Sequence, residues 1–268
     1  MPIIKFIRNF FTKLPVLFFL NGVFLTTIFY CRIEDEYEKN IINRISQKII
    51  TDNPLATTNT DTFFIKAMEM ANYLQERRLE VFGTQKTEGI KATFFHSITD
   101  DLLTGEGACG SASAILARIL KSYNYKVRLP QMKVAGQFGG HIVTEVKKDK
   151  DWIVLDALYK TYFKKPDGSL AGFKEVSGNW AYYQKQLPAN YPTTYTYEDA
   201  RYTNWDKVPF AGNLTKFFIS IIYGKKYADE FSVRSYLLRN YHFLYFIALS
   251  IYIPIVTITL IQLTTRKK

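Results

Sequence analysis

The sequence predicts an α+β fold, a mixed helix and strand domain carrying two flanking transmembrane helices. Three patterns lead there. Apolar runs with no formal charge near neutral pH apart from partial protonation of His242 occupy Leu14 to Tyr30 and Tyr241 to Leu263. Apolar residues recur at helical spacing from Phe63 to Leu74 and again after Ala108. The strand-like runs YKVRLPQM, HIVTEV and DWIVLDAL then follow one another, separated by glycine-rich or charged breaks.

Crossing a bilayer core takes about 20 apolar residues at 1.5 Å rise each. The second run meets that length, and its 23 residues exceed most core helices of soluble proteins. The first is shorter, with Asn21 as its one strongly polar side chain. Lys5, Arg8 and Lys13 give it a basic start like a secretory signal, but no small-x-small cleavage site follows. Bulky Ile28, Phe29 and Tyr30 precede Cys31, where lipoprotein processing needs small residues, so an uncleaved anchor is expected. Pro254 is compatible with a membrane helix. Basic residues precede the first run and close the chain at Arg266, Lys267 and Lys268, whereas Glu34, Asp35, Glu36 and Glu38 follow the first run. The positive-inside rule then puts both termini in the cytoplasm, with the middle outside a bacterial inner membrane; Arg234 and Arg239 oppose that orientation.

Between the runs, the sequence divides into a polar linker with a short helix at 32–60, a domain at 61–212 with an aromatic-rich extension, an interfacial amphipathic segment at 213–238, and the second membrane helix from 239. The interfacial reading rests on FFISIIY followed by Lys225 and Lys226. A net charge of +11 admits nucleic acid, but the cations are scattered and no stacking module accompanies them, so none is expected. Membrane lipid is the simpler partner for part of this charge. Two cysteines and three histidines, with no HExxH or paired CxxC, leave no metal cluster, and no glycine-rich phosphate loop calls for a cofactor.

The chemistry-bearing residues are Cys109, His141 and Asp156. Cys109 stands in GEGACGSASAILARIL, where small residues open a helix. A thiol at a helix start meets backbone N–H groups and the positive end of the dipole, which favours thiolate and supplies donors for an oxyanion. Gly105 and Gly107 let the preceding loop turn into the helix. If residues 148–151 form the turn between the next two strands, His141 pairs with Leu158 and Val143 with Asp156, and His141 and Asp156 become diagonal neighbours on one sheet face, base and orienter. Gln131 and Gln137 are candidate oxyanion donors and Trp152 a candidate wall of the site. Glu106 is a loop charge or substrate contact, and His96 reads as a structural or rim histidine. The aromatic stretch from Trp180 to Trp205 reads as an ordered cover that could line a groove.

Gly107-Ala108-Cys109, Gly139-Gly140-His141 and Trp152-Ile-Val-Leu-Asp156, in that order and 32 and 15 residues apart, resemble the transglutaminase-like superfamily over roughly residues 85–165. That resemblance implies a papain-like core, Cys109 as nucleophile, His141 as general base then acid, and Asp156 as its orienting carboxylate. It implies a thiol peptidase or amidase, or an acyltransferase, acting on a peptide or protein substrate. Family members often place a side-chain oxyanion donor upstream of the cysteine, but Leu103 in this chain cannot serve. The competing readings are a packed Cys109, a loop-capping His141 and a strand-ending Asp156. The chain would then be a noncatalytic docking platform for membrane-protein partners.

Overall fold

The computed structural model describes residues 13–82, 97–104, 108–207, 212–237 and 241–265. The chain forms two compact units, Met1–Lys39 with Asn240–Lys268, and Asn40–Arg239.

Helix α1 begins at Leu14, in the first unit, and continues without a break to Asp52, in the second. Residues 32–52 are therefore helix rather than linker, because no breaker precedes Asn53-Pro54. Ion pairs one turn apart support this charged stretch: Arg32–Glu36 at 2.6 Å, Lys39–Asp35 at 2.6 Å and Lys48–Asp52 at 2.8 Å. The last helix, Tyr241–Thr265, contains Pro254. Both helices are long and apolar enough to cross a membrane. They run antiparallel: Asn21 Nδ2 donates to Thr259 Oγ1 at 2.9 Å, and Tyr30 meets Tyr241 edge to face at 5.8 Å. Asn21 thus spends its amide on the facing helix and on Leu17 O, the pairing expected of a polar group among apolar neighbours.

In the second unit, helix α2 (Thr60–Phe82) buries Phe63, Phe64, Ala67, Met68 and Ala71. That face packs on α4 (Cys109–Ser122), preceded by the short α3 (Ile98–Thr104). Helix α4 buries Ile115, Leu116, Ile119 and Leu120 completely or nearly so. Two antiparallel sheets follow, ordered β1-β4-β5-β6 and β3-β2-β7. The strands are β1 Val127–Arg128, β2 Gln131–Val134, β3 Gln137–Ile142, β4 Thr144–Lys148, β5 Asp151–Asp156, β6 Thr161–Tyr162 and β7 Ala200–Arg201. Helices α5 (Phe173–Gly178) and α6 (Trp180–Tyr183) lie between β6 and β7.

The sheets share one bent pair of strands. Val127↔Val146, Arg128↔Glu145 and Gln131↔Ile142 keep a single register, and Val143 N–H donates to Pro130 O at 3.2 Å between them. Pro130 has no N–H to return, so the ladder is interrupted there. The glycine-rich GQFGG, expected as a flexible break, is instead strand. Ala135 and Gly136 hold φ of 48° and 80°, a two-residue hairpin turn of the kind that matches strand twist, and Val134 pairs Gln137 across it. Between Met132↔His141 and Lys133↔Phe138 the register shifts, leaving Gly139 and Gly140 as a bulge. Gly139 takes φ of 100°, and a Cβ at Gly140 would sit 2.6 Å from Val134 Cβ, so both positions require glycine.

The tail of the second unit carries α7 (Gly212–Tyr223), α8 (Lys225–Glu230) and α9 (Arg234–Leu237); the membrane helix Tyr241–Thr265 is α10. Leu214, Phe217, Phe218, Ile221, Ile222 and Tyr223 of α7 are all exposed.

Candidate functional site

Cys109 is the first residue of α4, and Ala112 N–H closes the first turn on Ala108 O at 3.2 Å. The small polar residues after it fasten the helix. Ser111 Oγ donates to Asp101 Oδ1 at 2.8 Å, and Ser113 Oγ donates to Ile142 O at 2.9 Å. The second bond ties the helix to the residue after His141. Ile142 and His141 point to opposite faces of β3, an edge strand, so α4 on one face and the imidazole on the other meet around that edge.

His141 and Asp156 are wholly buried, with Nε2 2.7 Å from Asp156 Oδ2. The register expected from the KKDK turn holds along β4 and β5, where Lys148 faces Asp151 and Thr144 faces Leu155. It stops there, and Asp156 pairs with Thr161 of β6 instead. The imidazole nevertheless reaches the carboxylate diagonally from just beyond the ladder. Asp156 is fully used: Oδ1 accepts from Leu158 N–H at 3.1 Å, and Oδ2 also accepts from Tyr191 Oη at 2.8 Å. Tyr197 Oη lies 3.1 Å behind Tyr191 Oη.

The half-buried thiol of Cys109 is pushed up by burial. The hydrogen bonding and charge of His141 and the backbone of Ile142 more than offset this, leaving it below the ordinary thiol value. Burial pushes His141 down, but Asp156 and then Cys109 raise it to about 9. Both shifts favour thiolate beside imidazolium near neutral pH. Nδ1 is buried and has no well-aligned hydrogen bond among the described residues. Its interaction with the thiol is therefore a loose charge contact, a geometry that commonly tightens when a substrate binds.

Tyrosines build the roof. Tyr195 stacks on His141 with centroids 4.4 Å apart and 17° between planes, and Tyr159 leans on the same ring at 5.8 Å. Burial raises both phenols, and the charges of Asp156 and Cys109 add to it. Of the aromatic stretch read as a cover, Tyr191 and Tyr195 touch the site directly, and Tyr197 backs Tyr191. Tyr159, three residues after Asp156, carried no separate signal beyond that spacing.

Gln131 is buried on β2 directly opposite Ile142. Gln137 is exposed at the hairpin turn. Trp152 lies at the other end of β5, about 13 Å along the strand from Asp156. Its ring is 4.1 Å from the Arg128 guanidinium, so it walls a different place. Arg128 is buried between Trp152 and Tyr202 and pairs with Glu145 at 2.7 Å and Glu230 at 2.6 Å. His96, Gly105, Glu106 and Gly107 lie outside the described residues. Among the described residues no group of three or more His, Cys, Asp or Glu side chains could hold a metal ion.

No protein-family model, curated protein or solved structure matches this chain.

Proposed function

We propose that the chain is a membrane-anchored thiol enzyme that cleaves amide bonds through a thioester on Cys109, as a peptidase or amidase. The observation that carries this reading is the coupled cluster in which Asp156 holds Nε2 of His141 and leaves Nδ1 to Cys109. The order of a helix-borne Cys, a strand-borne His and a strand-borne Asp supports a transglutaminase-like core.

In the reaction, thiolate attacks the carbonyl carbon, the C–S bond forms, and imidazolium gives its proton to the departing amine as the C–N bond breaks. Water, deprotonated by the now neutral His141, then attacks the thioester; the acid leaves and the thiol is regenerated. An amine in place of water gives acyl transfer by the same steps. The Cys109 backbone N–H, at the first turn of α4, is the first oxyanion donor, and Gln131, opposite Ile142 on β2, is the second candidate.

The antiparallel pairing of α1 with α10 supports both termini on one side of a membrane, the cytoplasmic side by the positive-inside rule. The exposed apolar side chains of α7, followed by Lys225 and Lys226, suit a helix lying in the headgroup region.

Alkylation of Cys109 in the full chain across pH, with the site mapped by mass spectrometry, tests the chemistry. An ordinary thiol of pKa near 8.5 is only about 3% thiolate at pH 7, so complete activation speeds alkylation about 30-fold. His141→Ala should remove most of that gain, and a reactive thioester should be trapped by hydroxylamine as a hydroxamate. A slow wild-type reaction with an ordinary thiol profile, unchanged by His141→Ala, moves the chain to the docking-platform reading.

A further inference from the structure

Two arginines stand out against the way this protein handles charge elsewhere. Arg128, its most buried guanidinium among the described residues, has two carboxylates. Arg201 and Arg234 are both half-buried, and among the described residues neither has a carboxylate partner. Half-buried cations without counter-charge are costly unless something anionic completes them.

Their positions point at the thiol. Arg201 lies on β7 opposite Gln131, which lies opposite Ile142 of β3. Directly opposed residues share a face, so Arg201, Gln131 and Ile142 stand in a row on the face against which α4 packs. Ile142 at the end of that row accepts from Ser113 of α4 and also contacts the Cys109 thiol through its backbone. The Arg201 guanidinium reaches back to β3, with Nη2 3.4 Å from Phe138 O, while its Nε is buried with no partner. The turn that brings Arg201 close is at Gly139, where an added Cβ would lie 3.9 Å from Nη2 and 3.6 Å from Gln131 Oε1. Arg234 starts α9 and lines a crevice with Ala114 and Ala117 of α4. Burial lowers Arg234, the Cys109 charge opposes it and the Arg201 charge adds to it, so Arg234 lies within reach of both.

We infer that Arg201 and Arg234 form an anion subsite beside Cys109 that holds a carboxylate of the acyl donor next to the carbonyl under attack. This rests on Cys109 being the nucleophile, and it adds the substrate class: amides whose acyl part carries a free carboxylate. A guanidinium pair suits a carboxylate through paired N–H donors as well as charge. The Arg234 charge also favours thiolate in the empty site and is taken up by the substrate when it binds.

The test compares iodoacetate with iodoacetamide as alkylating agents of Cys109 in the full chain. The two differ by one carboxylate and displace iodide by the same reaction. The rate ratio of iodoacetate to iodoacetamide should fall about tenfold in the Arg201→Gln, Arg234→Gln double variant, as expected for two cations within several ångströms of the anion. Lys150→Gln with Lys185→Gln, which removes as much charge from exposed positions, should leave the ratio unchanged. An unchanged ratio in the arginine variant, or an equal fall in the lysine variant, overturns the subsite. If the arginine variant does not fold, protection of wild-type Cys109 from iodoacetamide decides. Succinamate, whose carboxylate is on the acyl part, should protect at about a tenth of the concentration succinamide needs, and equal protection overturns the proposal. Failure of Cys109 as nucleophile registers separately, as a slow iodoacetamide rate insensitive to His141→Ala.

Discussion

Asp156→Asn isolates what the carboxylate does, because the substitution keeps its shape and removes its charge. The buried Asp156 receives three donors: Leu158 N–H, Tyr191 Oη and His141 Nε2. An asparagine offers one oxygen. If that oxygen faces Tyr191 and His141, its amide nitrogen confronts Leu158 N–H. If it faces Leu158, the amide donates to Nε2 and forces a neutral His141 with its proton on Nδ1, toward the thiol. The second outcome keeps every group paired and removes the base.

Either way His141 loses the largest influence that holds it at about 9, while the burial that lowers it remains. It should fall to about 6.5 or below. The sign of the linked stability follows. A folded value of about 9 lies above the unfolded value of about 6.5, so this contribution is complete below pH about 6.5 and is lost as pH rises through about 9. A difference of that size corresponds to at most about 3 kcal/mol. Trp152, Trp180 and Trp205 are the three tryptophans of the chain, so their fluorescence reports the second unit alone. Urea titration of the full chain in detergent should show wild type ahead of Asp156→Asn by its widest margin near pH 6. The margin should narrow by up to about 3 kcal/mol toward pH 10, down to the roughly 1–3 kcal/mol due to the mismatched donor. A margin that does not change with pH, or a His141 titrating near the ordinary value in wild type, refutes this account.

Tyr191→Phe removes one donor to the buried carboxylate and should cost about 1–3 kcal/mol in urea titration, with little change in the thiol's alkylation profile. Gly140→Ala drives a methyl into Val134, so the bulge must shift and carry His141 with it; alkylation at neutral pH should slow, and Val134→Gly in the same chain should restore it because the opposing Cβ is gone. Arg128→Met leaves Glu145 buried without its cation and should destabilise the unit by about 3–5 kcal/mol, yet leave the alkylation rate of the folded protein unchanged.

The sequence made the ends and the order of the site legible for physical reasons that need no tertiary information. An uncharged run of membrane length is a property of composition, and the small residues around Cys109 mark a helix start wherever it packs. The register between β4 and β5 could be counted from a short charged turn. The bulge at Gly139-Gly140 could not, because two adjacent glycines read equally well as a loose loop, and only the approach of Val134 makes them a feature of a strand. The continuation of α1 past Tyr30 was hidden for another reason: a change from apolar to charged composition marks a change of surroundings, not an end of helix. Tyr191 and Tyr195 lie far along the chain from Asp156, so no local pattern says which tyrosine of that stretch bends back to donate to it.

Among the described residues of the second unit, the ionic groups around Arg128 and around His141 make a comparison that bears on structure and on chemistry. Around Arg128, the two carboxylates, Trp152 and Tyr202 close on one another, and Tyr202 donates to Glu145 at 2.8 Å. Such a cluster is satisfied as it stands and gains nothing from a ligand. Around His141, Asp156 is equally saturated, but the satisfaction ends at the imidazole, whose second nitrogen is buried against a thiol without a well-formed bond. An incomplete buried network is a cost that folding alone gives no reason to keep. Here the incomplete atom sits between a carboxylate that fixes its partner nitrogen and a sulfur at a helix start, under tyrosines that strengthen every charge interaction by excluding water. The group left unsatisfied is the one through which a proton would pass in the proposed reaction, and that asymmetry favours the proposal over simple packing of Cys109.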